Sequence, residues 1–324
     1  MNLGEEYRWN MRTITYGFDS SFRNYFGERG MQEVRKAVAI LNALPPISKM
    51  STNLDEFPLD TRRVNQTAGA LQILDLKSFA LGALVEQMGL TAPERYVWTL
   101  HDRVEIAPVV NYWVVMRNFE PVPGSISNYR PSKFVNGTLY TYSIFEFVAP
   151  DWADALEFPV DPASPTHSTV ASAIPGFPFS GPLNLGEFFT GLTRDDVAGL
   201  RYLYRSGNYN IENLVFSNNV TSGGVPWSPV GGGSNFVNTA LRPGVDKITF
   251  VEGKYESEFG NFIATVNTYS DLYVTNNHVI KQSLRTVLVQ PDIIFGARDM
   301  FNFIPPQPME RTVATDWQNN GALN

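Results

Sequence analysis

The stretch from Asp75 to Leu90, DLKSFALGALVEQMGL, constrains the fold more than any other. Leu76, Phe79, Ala80, Leu84 and Met88 recur every three or four positions, which predicts a helix with these side chains on one buried stripe. Gly89 then predicts a left-handed C-cap, with Leu90 folding back on the last turn. Asp75 stands where the helix dipole favours negative charge, and Glu86 falls on the polar side, exposed or paired with an arginine. A helix of this kind needs layers packed on it. The chain has 324 residues, 43% of them apolar and 13% aromatic, enough for a sizeable core and for two domains.

The same stretch resembles the active-site helix of matrixin-like metalloproteases, D-L-x-S-x-A-L-H-E-x-G-H-x-x-G-L. Asp75, Leu76, Ser78, Ala80, Leu81, Gly89 and Leu90 match. The resemblance places zinc ligands at Gly82, Glu86 and Ala92 and the general base at Ala83. A hydrogen or a methyl group cannot coordinate a metal, and the lone carboxylate of Glu86 cannot replace several shared ligands. The family's packing pattern is kept while its chemistry is lost, so the expectation is a non-catalytic chain with no cofactor and no metal.

Other segments extend the resemblance in order. Residues Arg12 to Asp19, RTITYGFD, read as a strand. A turn at Phe26 and Gly27 leads to a helix from Met31 to Leu44, stopped by Pro45 and Pro46. VASAIPG resembles the turn beneath the metal in this family, with Pro175 matching and Ala173 at the methionine position. Leu192 to Tyr204 resembles the family's C-terminal helix: Thr193 and Asp196 form a capping box, and Val197, Leu200 and Leu203 the buried stripe. The expected fold class is α+β, a matrixin-like domain over residues 1 to about 206.

Between these landmarks, Val104 to Phe119 and Gly137 to Val148 read as strands of an inserted β segment. Tyr140, Tyr142 and Phe145 on the second of them form either an aromatic face packed on the core or a ligand platform. Residues Lys49 to Gln66 and Pro159 to Gly186 read as loops. From residue 207 to 324, short runs rich in Val, Ile, Thr and Tyr are punctuated by Asn, Gly and Pro, which predicts a second, all-β unit of sandwich type with its own core. GGVPWSPVGGGS reads as a loop, since it lacks the lysine and following helix of a phosphate cradle.

The net charge of −7, without a basic run, excludes a nucleic-acid partner. With no cysteine, the chain has no disulfide, thiolate site or cysteine nucleophile. No apolar run is long enough to span a membrane. His101, His167 and His278 share no metal-binding spacing and read as structural or surface residues; a displaced site of His101, Glu86 and Asp75 is not required by the sequence. Asp195 and Asp196 read as first-turn helix carboxylates, and Ser168 and Ser172 near His167 do not by themselves make a triad. The triplets at Asn65, Asn136 and Asn219 fit exposed loops.

These readings converge on an inactive, matrixin-like scaffold outside the cell. Such a chain would start after a removed signal and belong to a longer parent. Its role would be that of an adhesin or a self-assembling subunit. FIATVNTYS and TLYTYSIFEF carry little charge and no proline, so their edges are expected to meet a protein partner or another copy, through residues such as Phe262, Val266 and Tyr269. The alternatives are a hydrolase with a rebuilt site and a polysaccharide-binding module.

Overall fold

The computed structural model describes residues 8–90, 95–106, 108–146, 152–164, 169–173, 183–213, 239–253, 255–256, 261–262, 265–275, 278–288, 291–298 and 300. The architecture is mixed, with four helices and several small sheets among these residues. In order, β1 (Thr13–Phe18), α1 (Ser20–Ala43), β2 (Arg62–Val64), α2 (Gln66–Ala70) and α3 (Leu76–Gln87) come first. Then follow β3 (Trp98–Ile106), β4 (Val109–Met116), β5 (Phe119–Pro121), β6 (Tyr129–Pro131), β7 (Phe134–Val135), β8 (Thr138–Glu146) and β9 (Ala153–Pro159). After β10 (Glu187–Phe189) and α4 (Arg194–Tyr204), the described elements are strands: β11 (Asn210–Asn213), β12 (Thr239–Arg242), β13 (Thr249–Glu252), β14 (Tyr255–Glu256), β15 (Asn261–Phe262), β16 (Thr265–Thr275), β17 (His278–Leu288) and β18 (Ile293–Phe295).

The first strand forms as its β-branched and aromatic residues predict, but its partners come from the far end of the chain. β1 is the middle of a parallel sheet in the order β13-β1-β18, with Ile14 opposite Phe250 and Phe18 opposite Phe295. Val245, Ile248, Phe250, Ile293 and Phe295 lie in one apolar cluster with Phe18, Phe22, Leu84 and Leu200. Residues 245–252 and 292–295 therefore belong to the same core as residues 9–204, and the expected split near residue 206 into two separate cores does not hold for them. The outer edge of β13 is closed by Asn42 of α1, whose side chain donates to the Phe250 carbonyl at 2.9 Å and accepts its N–H at 2.8 Å. The Asp292 carboxylate accepts the Thr15 N–H at 2.7 Å and its hydroxyl at 2.6 Å.

The helix expected from Met31 begins earlier, at Ser20, because Asp19 caps it by accepting the Phe22 N–H at 2.8 Å. Gly27, read as a turn, does break it: its backbone is non-helical at φ 61° and ψ −163°, and two helical stretches run together as α1 across that point. Helix α3 matches its predicted span, and Asp75 is its N-cap, accepting the Ser78 N–H at 2.8 Å. Gly89 takes φ 101°, and the Leu90 N–H reaches back to the Val85 carbonyl at 3.1 Å, which completes the C-terminal cap. The single stripe is a correction. Ser78, Leu81, Ala83, Val85 and Gln87 are buried as well as Ala80 and Leu84, while Leu76 and Phe79 are only half-buried. The reason is that α3 packs on α1, β10 and the 3₁₀ turn at Val170–Ala173, so it is enclosed on several sides.

The inserted segment is two packed layers. The run read as one strand from Val104 to Phe119 is the β3–β4 hairpin with β5 after it, and β8 pairs with β7 and β9. Glu157 of β9 joins the layers: its carboxylate accepts the Val97 N–H at 2.8 Å and the Trp98 N–H at 2.9 Å, and also that of Tyr96. Beyond residue 206, β11, β12, β16 and β17 form a four-stranded antiparallel sheet and β14–β15 a small hairpin.

Candidate functional site

Around α3, two of the positions where the matrixin resemblance places site residues, Gly82 and Ala83, are packing residues. Gly82 and Ala83 are buried in the helix, Glu86 is half-buried, and Ala173 is the last residue of the 3₁₀ turn; Ala92 lies outside the described residues. Among the described residues no group of three His, Asp or Glu side chains gathers. In particular, Asp75 is committed to its cap, and His101 sits on the exposed hairpin against the Trp113 ring at 5.4 Å. His167 and Ser168 lie outside the described residues, and His278 opens β17.

What occupies this region is a buried hydroxyl chain. Thr169 Oγ1 and Ser172 Oγ are 2.7 Å apart, and Ser172 also bonds the Tyr96 hydroxyl. Burial pushes the Tyr96 phenol up to about 12, so it is a poor base for a serine. The 3₁₀ turn is fixed by Asp196, whose carboxylate accepts the N–H groups of Val170 and Ala171, each at 3.0 Å, while it completes the capping box with Thr193. Burial raises the Asp196 carboxyl above its ordinary value despite these donors. The expected capping box and the buried Val197, Leu200 and Leu203 are present; the tether from Asp196 to the preceding turn left no mark in the sequence.

The expected aromatic surface divides. Tyr140 is buried at 3% exposure, so it is core and not surface. Tyr142 is half-buried with its ring 5.0 Å from that of Trp98, and Phe145 is exposed at 51%. Phe262 lies in β15, while Val266 and Tyr269 lie in β16, opposite Val287 and Leu284 of β17. The run FIATVNTYS is thus not an open edge on that side, since β17 pairs along β16 from Thr265 to Thr275. The run TLYTYSIFEF is likewise paired, with β9 from Tyr140 to Glu146.

A cleft of about 430 Å³ opens on the other side of α4. Arg194, Asp195 and Ala198 line it from the helix, Asn53 and Asp55 from the loop before β2, Glu120 and Arg130 from β5–β6, and Phe134 and Asn136 from the β7–β8 turn. Two ion pairs line it, Arg194 with Asp55 at 3.3 Å and Arg130 with Glu120 at 2.6 Å. Asn136 fixes the hairpin to the helix: its amide donates to Thr193 Oγ1 at 3.0 Å and its carbonyl accepts the Asp195 N–H at 3.0 Å. Arg201, fully buried one turn beyond Ala198, donates to the carbonyls of Ser51 at 2.5 Å and Thr52 at 3.0 Å and so pins the opposite loop. This cleft went unread in the sequence because its walls come from four separated segments. Its one local signal was Asn136-Gly137, a hairpin turn with both residues at positive φ.

No family model, curated protein or solved structure matches this chain.

Proposed function

We propose that this chain is a degenerate, matrixin-like, non-catalytic protein that acts outside the cell by association, as a structural subunit binding further copies of itself. The observation that carries this reading is the outward surface of the inserted layers. On the β3–β4 hairpin, Ile106 pairs with Val109, Val104 with Asn111 and Asp102 with Trp113, which puts these residues on one face. Ile106 is 66% exposed and Trp113 63%, and Val104 and Val109 beside them are exposed too. The other layer exposes Phe145 and Phe158. Large apolar side chains gathered on one unit favour a contact surface over a solvated one. The opposite face of the hairpin carries Arg103 and Tyr112, both bonded to Glu146 of β8, so the layers support each other and present these faces on a firm body.

Native mass measurement across a concentration series tests the reading. Assemblies are expected for the unaltered chain, with Trp113→Lys and Phe145→Lys shifting it to monomer. A strictly monomeric chain would overturn the association. Metal analysis tests the other half: stoichiometric, tightly held zinc with chelator-sensitive proteolysis would overturn the non-catalytic reading.

A further inference from the structure

We infer that the cleft beside α4 is a binding site for an uncharged oligosaccharide, a role separate from the assembly surface and independent of it. Its volume of about 430 Å³ falls in the range of small-ligand sites, roughly 300–1,000 Å³. Its shape is set before any ligand arrives. The floor is a helix with a capping box, Asn136 ties the hairpin turn to that helix, and Arg201 holds the facing loop. A site fixed in this way loses little freedom on binding.

The lining chooses among ligands. Phe134 is 48% exposed and lies with Phe119 and Pro121 along the cleft, offering flat apolar surface to the C–H face of a sugar ring. Asn53, Asp55, Glu120, Arg130 and Arg194 all end in planar groups with two or more polar atoms, which can bridge neighbouring hydroxyls that both donate and accept. A polyanion is poorly served, because each guanidinium at the rim already faces a carboxylate and the whole chain carries −7. A peptide added as a strand is poorly served too. β5 and β6 spend backbone groups on each other, and Pro121, Pro123 and Pro131 offer no N–H.

Calorimetric titration of the full chain tests the inference. The probes are the hexamers of β-1,4-glucose, β-1,4-N-acetylglucosamine, β-1,4-xylose and β-1,3-glucose, with polygalacturonate and a capped Thr-Ser octapeptide beside them. At least one neutral hexamer is expected to bind with a millimolar or tighter Kd, weakened about tenfold or more by Phe134→Ala and by Asp55→Asn, and unchanged by Trp113→Ala. Both altered positions are exposed, so folding is expected to survive, and circular dichroism checks it. Binding by none of the hexamers, binding that survives both cleft variants, or binding of polygalacturonate or the peptide alone would overturn it.

Discussion

Leu90 packs directly onto the backbone of Gly199: a β-carbon added at residue 199 would stand 2.7 Å from Leu90 Cδ2. The fold-back residue of one helix cap thus fills the space that the absent side chain of the next helix leaves. In a free helix Gly→Ala stabilises by about 1 kcal/mol. Here overpacking, which costs about 1–3 kcal/mol, opposes that gain. Gly199→Ala is expected to lower the urea midpoint, and the double change with Leu90→Ala to recover the helix gain at residue 199. A higher midpoint for Gly199→Ala alone would show that the two helices can part.

Asn136 carries two separable contributions. Its φ of 48° suits Asn and Gly, and its side chain makes two hydrogen bonds to the start of α4. Asn136→Ala is expected to cost about 2–4 kcal/mol, and Asn136→Gly about 1–2 kcal/mol less than that, since glycine relieves the backbone alone. Chemical denaturation of the two variants measures the difference. Equal losses would mean that the backbone strain is negligible.

The acid limb of stability is expected to follow Glu252. Hydrogen bonding to Arg35 holds its carboxyl below the ordinary value of 4.5. Its contribution is fully present above that value and is lost as pH falls through the lower folded pKa. Asp292, raised mainly by burial, has the opposite sign: its effect weakens the fold as pH climbs from 3.8 towards its higher folded pKa. Glu252→Gln should flatten the loss of stability below about pH 4.5. Thermal unfolding at a series of pH values reads this, and an unchanged acid limb would assign it to other carboxylates.

Residues 1–206 expressed alone are expected not to fold. Without residues 249–252 and 293–295, β1 loses both of its partners, and Phe18 and Phe22 lose the ring of Phe295, which lies 5.8 and 6.3 Å from theirs. Proton NMR of the fragment decides this. Dispersed methyl and amide signals would show that the first part has a self-sufficient core.

Helix α3 and helix α4, which lines the cleft, were legible because their signals are local. Asp75, Gly89 and Leu90 bracket α3, and Thr193 with Asp196 opens α4, each within one turn of its element. The burial of α3 was less legible, since Ser78 and Gln87 look polar until their neighbours are known; Ser78 spends its hydroxyl on the Phe189 N–H at 2.7 Å. The pairing of β1 was not legible at all. A parallel register across such sequence distance leaves no turn, no spacing and no periodicity to read. Among the described residues only strands follow α4, yet composition cannot say which strands leave for another sheet. Tyr140 misled for a related reason: alternation along a strand separates two faces without saying which one meets a second layer.

The strand that opens the fold is the last to be completed. Thr15 waits for Asp292, 277 residues further on, before its backbone N–H has its partner. During synthesis, most of the chain must leave the ribosome while an apolar strand stays unpaired on both sides, and closing so long a loop makes folding slow. A strand left unpaired for so much of synthesis is exposed to misassociation until its late partners arrive. Once closed, β1 is held between β13 and β18, so that cutting a loop between residues 18 and 249 need not release the strands from one another.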